Sequence, residues 1–232
     1  MPVLMVAAYL ALISTSDVSG WVTVAVLLVM GVVTLLWLLF RELSVHAALT
    51  RAAAIGLPDE VLARADAELA RRWTRATRAP FQVYRAIGHE LRGDFAAALA
   101  ALAEVDARAL AGGRRGWGLL AARTEIAARL ELGEIAAARA AFDQHFAAPP
   151  ASTTVVGREL AARLRLAEGD AAGAAPELQA LARDVRLGPA ARAVALLCVA
   201  RCGDALGDAA GAARDRAAAA ALAPQTWAGA AA

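Results

Sequence analysis

The sequence predicts an all-α protein, with one membrane-spanning helix and a shorter apolar arm before it, followed by a series of helical pairs. Three observations carry this expectation. Residues Trp21–Phe40 contain no charged side chain. From Arg41 onward apolar residues recur with helical period, and no stretch alternates with the period of a strand. A turn made of glycine, an acid and a small or apolar residue then recurs between helices.

The anchor comes first in the chain. In WVTVAVLLVMGVVTLLWLLF only Thr23, Gly31 and Thr34 interrupt the hydrophobic side chains. A helix of about 20 residues rises roughly 30 Å, the thickness of the hydrocarbon layer. Trp21 and Trp37 fall near its ends, where indole rings favour the headgroup region, and Arg41 closes the span. These three are the candidate membrane-interface residues. A buried core helix is the rival reading, but with aromatics at only 5% the rest of the chain has little to wrap an all-round apolar helix. The segment Pro2–Ile13 is apolar too, yet as a helix it would rise only about 18 Å. With the turn-like Ser14–Gly20 it forms either a helical hairpin with the span or a half-buried arm. No basic region precedes it, which argues against a cleaved signal peptide.

Flanking charge sets the expected orientation. Asp17 is the only ionised side chain before the span, whereas Arg41 and Arg51 follow it. The positive-inside bias therefore places the following domain in the cytoplasm. Every cationic side chain other than histidine is arginine, and alanine is in excess. That bias suggests high-GC coding and a bacterium, hence an inner (cytoplasmic) membrane.

Composition also excludes chemistry. Without lysine there is no Schiff base and no phosphate-loop lysine. A net charge of +2 with mixed signs lacks the basic patch of a nucleic-acid binder. Cys198 and Cys202 lie four apart on one helix face without neighbouring ligands, so they read as small core residues rather than a metal site. The histidines, His46, His89 and His145, are scattered. His89-Glu90 begins like a zinc-protease motif, but Gly93 stands where the second histidine belongs. No serine sits in a nucleophile elbow, and Gly112 and Gly113 lack a phosphate-loop pattern. The expectation is no catalytic residue, no metal, no cofactor and no small-molecule substrate: not an enzyme.

Organisation follows from punctuation. Gly56-Leu57-Pro58-Asp59-Glu60 ends one helix and starts the next, which carries Val61, Leu62, Ala65 and Leu69 on its apolar side. The repeated turn reads Gly93-Asp94-Phe95, Gly133-Glu134-Ile135, Gly169-Asp170-Ala171 and Gly207-Asp208-Ala209, at intervals of 40, 36 and 38 residues. Glycine adopts the left-handed geometry that ends a helix, and the acid favours the next helix start. The expected partition is 1–40 anchor, 41–78 linker and capping helices, 79–226 about four helix pairs, and 227–232 a disordered tail.

These turns resemble those of tetratricopeptide repeats, with Gly93-Asp94-Phe95 the best match. The small residue of the second helix falls on Ala98, Ala138, Ala174 and Ala212, and the bulky one on Leu102, Phe142 and Leu178, with Arg216 in the fourth unit. Pro224, and approximately Pro149, match the closing proline. The first helices match more loosely: Leu196, Val199 and Ala200 fall in place, while Phe81, Tyr84, Ile87 and Leu91 are in shifted register.

The resemblance implies a TPR-like α-solenoid of helix pairs whose concave face holds a peptide or partner helix. Tyr84, Arg85, His89, Arg92, Arg123 and Arg163 are the candidates for that face, because guanidinium pairs bidentately with carboxylate. The alternative is that these arginines are ordinary exposed helix residues. The implied role is a membrane-anchored adaptor or scaffold binding a protein partner, held in the bilayer by residues 21–40. The rival role is a structural subunit or assembly factor of a membrane complex, associating through its span. In the last unit Ala217–Ala221 bury little apolar area, so this end is expected to fray first unless Trp227 folds back as a cap.

Overall fold

The structure is a computed structural model that describes residues 20–72, 74–106 and 116–231. The apolar arm 2–13 lies outside the described residues. The chain divides into two compact units, Met1–Ala48 and Leu49–Ala232. Among the described residues all regular structure is helical.

The first described helix, α1, runs Gly20–Ile55 and is the one described helix long and apolar enough to cross a membrane. Its side chains from Val24 to Phe40 are exposed or half-exposed on every side, with Leu28 65% and Phe40 72% exposed. The helix does not stop at Arg41. Polar residues change its solvation but not its hydrogen-bonding pattern, and Ser44 Oγ donates back to the Phe40 carbonyl at 2.7 Å. It ends only at Gly56, whose φ of 81° lets the Gly56 and Leu57 amides fold back onto Ala52. The boundary read at residue 40 is thus a change of environment within one helix.

From Leu49 the second unit begins. Helix α2, Pro58–Arg71, has proline at its first turn and buries Val61, Leu62, Ala65 and Leu69 as the pattern predicts. Then come α3 (Arg75–Arg92) and α4 (Phe95–Ala103), α5 (Gly116–Glu131) and α6 (Ile135–His145), α7 (Val155–Ala167) and α8 (Ala171–Arg183), and α9 (Pro189–Leu206) and α10 (Ala209–Leu222). Each pair is joined by one of the four glycine turns. All four share one geometry: the glycine has φ between 76° and 94°, its amide bonds three residues back, and the next amide bonds five back. This is the Schellman arrangement, which satisfies carbonyls that a helix end leaves open. The acid caps the next helix through its side chain in two turns: Asp170 accepts from the Gly173 amide at 2.8 Å and Asp208 from Gly211 at 2.9 Å. Asp94 and Glu134 make no such bond.

The first helices of successive pairs pack side by side, α3 on α5, α5 on α7 and α7 on α9. Beyond them a short helix, α11 (Trp227–Ala230), touches α9, α10 and α3. Residues 227–230 form a helical turn packed on the rest of the unit, the arrangement of a fold-back cap. Trp227 is 9% exposed and meets the Phe95 ring edge-to-face at 5.3 Å. The buried indole supplies apolar area that the alanine-rich segment before it lacks. Close approaches at Gly56 to Thr226, Ala223 and Ala190, and at Gly188 to the Ala54 backbone, bring the same two regions together. The row of pairs consequently closes on its own beginning. That closure explains why α3 and α9 are buried around most of their circumference.

Candidate functional site

Side by side, the first helices present charged side chains to one another. Arg123 on α5 donates to the carboxylate of Glu90 on α3 and stands 3.8 Å from Glu159 on α7. Arg163, one helical turn beyond Glu159, donates to it at 3.3 Å and to Glu131 of α5 at 3.0 Å. Arg201 on α9 grips both oxygens of the same Glu131, at 3.1 and 2.9 Å. The result is an alternating ladder, Glu90–Arg123–Glu159–Arg163–Glu131–Arg201, across four helices. Its middle is dry: Glu90 and Arg163 are 3% exposed and Glu159 8%. Its end is wet, since the Arg201 side chain is 41% exposed and lies over the Trp227 ring.

Burial sets the electrostatics. Loss of water raises the Glu90 carboxyl above the usual carboxylate range, against the opposing pull of Arg123 and Arg163. For Arg163 burial acts downward, but Cys198, Glu159, Glu131 and Glu90 outweigh it and the guanidinium is held more firmly protonated than usual. Burial pushes the Cys198 thiol up to about 11, against the pull of Arg163 and Arg201, so it is neutral at physiological pH. A neutral buried thiol is a poor nucleophile.

Beside the wet end lies a cleft of about 350 Å³. Leu130, Ile135, Leu166 and Ala167 line it, together with Cys198 and the bonded group Glu131, Arg163 and Arg201.

The residues expected to line a partner-binding face are placed as follows. Tyr84 is 4% exposed, hydrogen-bonded to Thr50 at 2.6 Å and packed edge-to-face on Trp117, so it is a core residue. Arg163 is equally buried and offers nothing to a partner, and Arg123 is consumed by Glu90. For Tyr84 the reason is that α3 is surrounded rather than open on one side, and for Arg123 and Arg163 that glutamates of neighbouring helices occupy them. Arg85, His89 and Arg92 occupy another edge of α3, within one helical face. Arg85 lies between Asp66 and Glu104, His89 faces Asp94 at 3.9 Å, and Arg92 pairs with Asp59. Burial and then Arg85 lower the His89 pKa, which keeps its imidazole neutral. On α1, Trp37 is 54% exposed and Arg41 stands near Glu42. Trp21 lies within α1, its side chain outside the described part.

No family model, no curated protein and no solved structure matches the chain.

Sequence reasoning missed Glu90, Glu131, Glu159 and Arg201. One signal existed: Arg123 and Glu159 each stand ten residues before their turn glycine, which puts opposite charges at one register position of neighbouring units. Arg163 and Arg201, each six before theirs, are like charges and gave no such signal. What these groups can do is hold helices or grip a charged ligand. Among the described residues no cluster of His, Cys, Asp and Glu is placed to hold a metal ion.

Proposed function

We propose that this chain is a membrane-anchored adaptor whose helical pairs, TPR-like in their turns, hold a protein partner without catalysis. The observation that carries the reading is the exposure of α1 on every side from Val24 to Phe40, in a chain whose other unit uses its charged groups mainly on one another. Apolar surface exposed over that length has a place in a bilayer and none in water. Arg41 and Arg51 support a cytoplasmic position for the pairs, and the arginine–alanine bias supports the inner membrane of a bacterium. The partner-facing edge narrows to Arg85, His89 and Arg92, where the side chains of Arg85 and Arg92 are 36% and 46% exposed.

A photo-crosslinking residue placed at Arg92 in the membrane-embedded chain is expected to capture one protein reproducibly. Recovery of the uncrosslinked chain alone counts against the adaptor. The second reading, a subunit that associates through its span, draws on the same exposed face of α1. Exchanging the first 40 residues for an unrelated span separates the two. The adaptor keeps its partner and the subunit loses it.

A further inference from the structure

We propose that the cleft between α5, the start of α6, α7 and α9 binds a single-chain aliphatic carboxylate, with its chain along Leu130, Ile135, Leu166 and Ala167 and its carboxylate on Arg201. The cavity, about 350 Å³, lies at the lower end of small-ligand pocket sizes. Apart from its charged group the lining is mostly aliphatic, and among the described residues no aromatic ring lines it on which a nucleobase or a sugar would stack. Leu130, Ile135, Leu166 and Ala167 are all half-buried, which leaves apolar surface for a chain to cover.

Charge selects the head group. Two guanidiniums, Arg163 and Arg201, meet the cleft against one carboxylate, Glu131, while Glu159 binds the other end of Arg163 outside the lining. The lining thus carries one positive charge in excess. Arg163 is buried by its two glutamates, so the group a ligand can reach is Arg201. That guanidinium has five N–H donors, of which two go to Glu131. The side chain is 41% exposed, and three donors remain for a second carboxylate. The Cys198 thiol at this end is neutral and does not repel an anion. This site is independent of the partner-facing edge on α3, and its success or failure leaves the adaptor reading untouched.

The test is a methyl-NMR titration of the full chain in nanodiscs, following the Ile135 δ-methyl with octanoate, octanol and acetate as probes. Octanoate is expected to shift Ile135 saturably, octanol at least tenfold more weakly, and acetate not at all. Ala167→Leu fills the cleft and should abolish the saturable shift. Arg201→Gln should weaken octanoate at least tenfold and leave octanol unchanged. The proposal is overturned by an unmoved Ile135, by a shift that never saturates (partition into the bilayer), or by octanoate binding that survives Ala167→Leu.

Discussion

Arg163 is the side chain on which most of the second unit's electrostatics converges. It is 3% exposed and bonds two glutamates that are themselves nearly buried. Removing one member of such a set leaves the others charged, dry and unpaired. Arg163→Met, similar in length and apolar, is therefore expected to cost roughly 3–5 kcal/mol in chemical denaturation. Arg201→Met, whose side chain is 41% exposed, should cost about 1 kcal/mol or less because water screens that pair. Equal losses for the two variants would show that the ladder is not buried as described. Glu90 gives the pH counterpart. Its folded-state pKa is raised, so its favourable contribution is complete below the ordinary carboxylate value and is lost as pH rises through the folded value. Comparing wild type with Glu90→Gln, the wild type should gain stability relative to the variant on acidification across that window. A difference that is flat with pH, or that runs the other way, would contradict the assigned desolvation.

At the scale of elements, the turns were the most legible feature, because a glycine with positive φ followed by an acid is local chemistry. Their energetics can be separated by two substitutions. At Gly133 nothing stands within 4 Å of an added Cβ, and φ is 76°, so Gly133→Ala tests backbone strain alone. A loss of about 1–2 kcal/mol is expected in thermal or urea unfolding. At Gly188 φ is −65°, which alanine accepts, but an added Cβ would lie 2.6 Å from the Ala54 carbonyl oxygen. Gly188→Ala must therefore displace one backbone segment from another and should cost at least as much as Gly133→Ala; a neutral result would deny the contact. The ends of elements were read less well where tertiary contacts decide them. Arg41 looked like a boundary because its charge is visible in sequence, yet a helix continues wherever its backbone bonds continue. Tyr84 and Arg163 looked like groove residues because a helical repeat read alone has an open inner face. Which face is open depends on what packs there, and the pairing of residues as distant as Glu131 and Arg201 leaves only a faint register signal in the chain.

For the second unit as a whole, the decisive contact is the one that brings its end back to its beginning. A linear row of helical pairs has stability that adds unit by unit, so a lesion in the last pair stays there. In this unit Trp227 joins α9, through Arg201, to Phe95 at the start of α4, while α11 itself packs on α3. The alanine-rich α10 buries only small residues, Gly211, Ala212 and Ala219, and packs on α9 and on α11. Trp227→Ala removes the largest side chain at the junction and is expected to cost about 3–5 kcal/mol. The more telling measurement is hydrogen exchange followed by mass spectrometry. If the row is closed, protection falls in α3 and α4 as well as in α9 and α10, although 120 or more residues separate α4 from Trp227 in sequence. If protection falls only in α9 and α10, the unit behaves as an open row and the junction is a local cap. Because α3 also carries Glu90, loosening the junction should strain the far end of the ladder, so Trp227→Ala and Arg163→Met combined are expected to cost less than the sum of their separate effects.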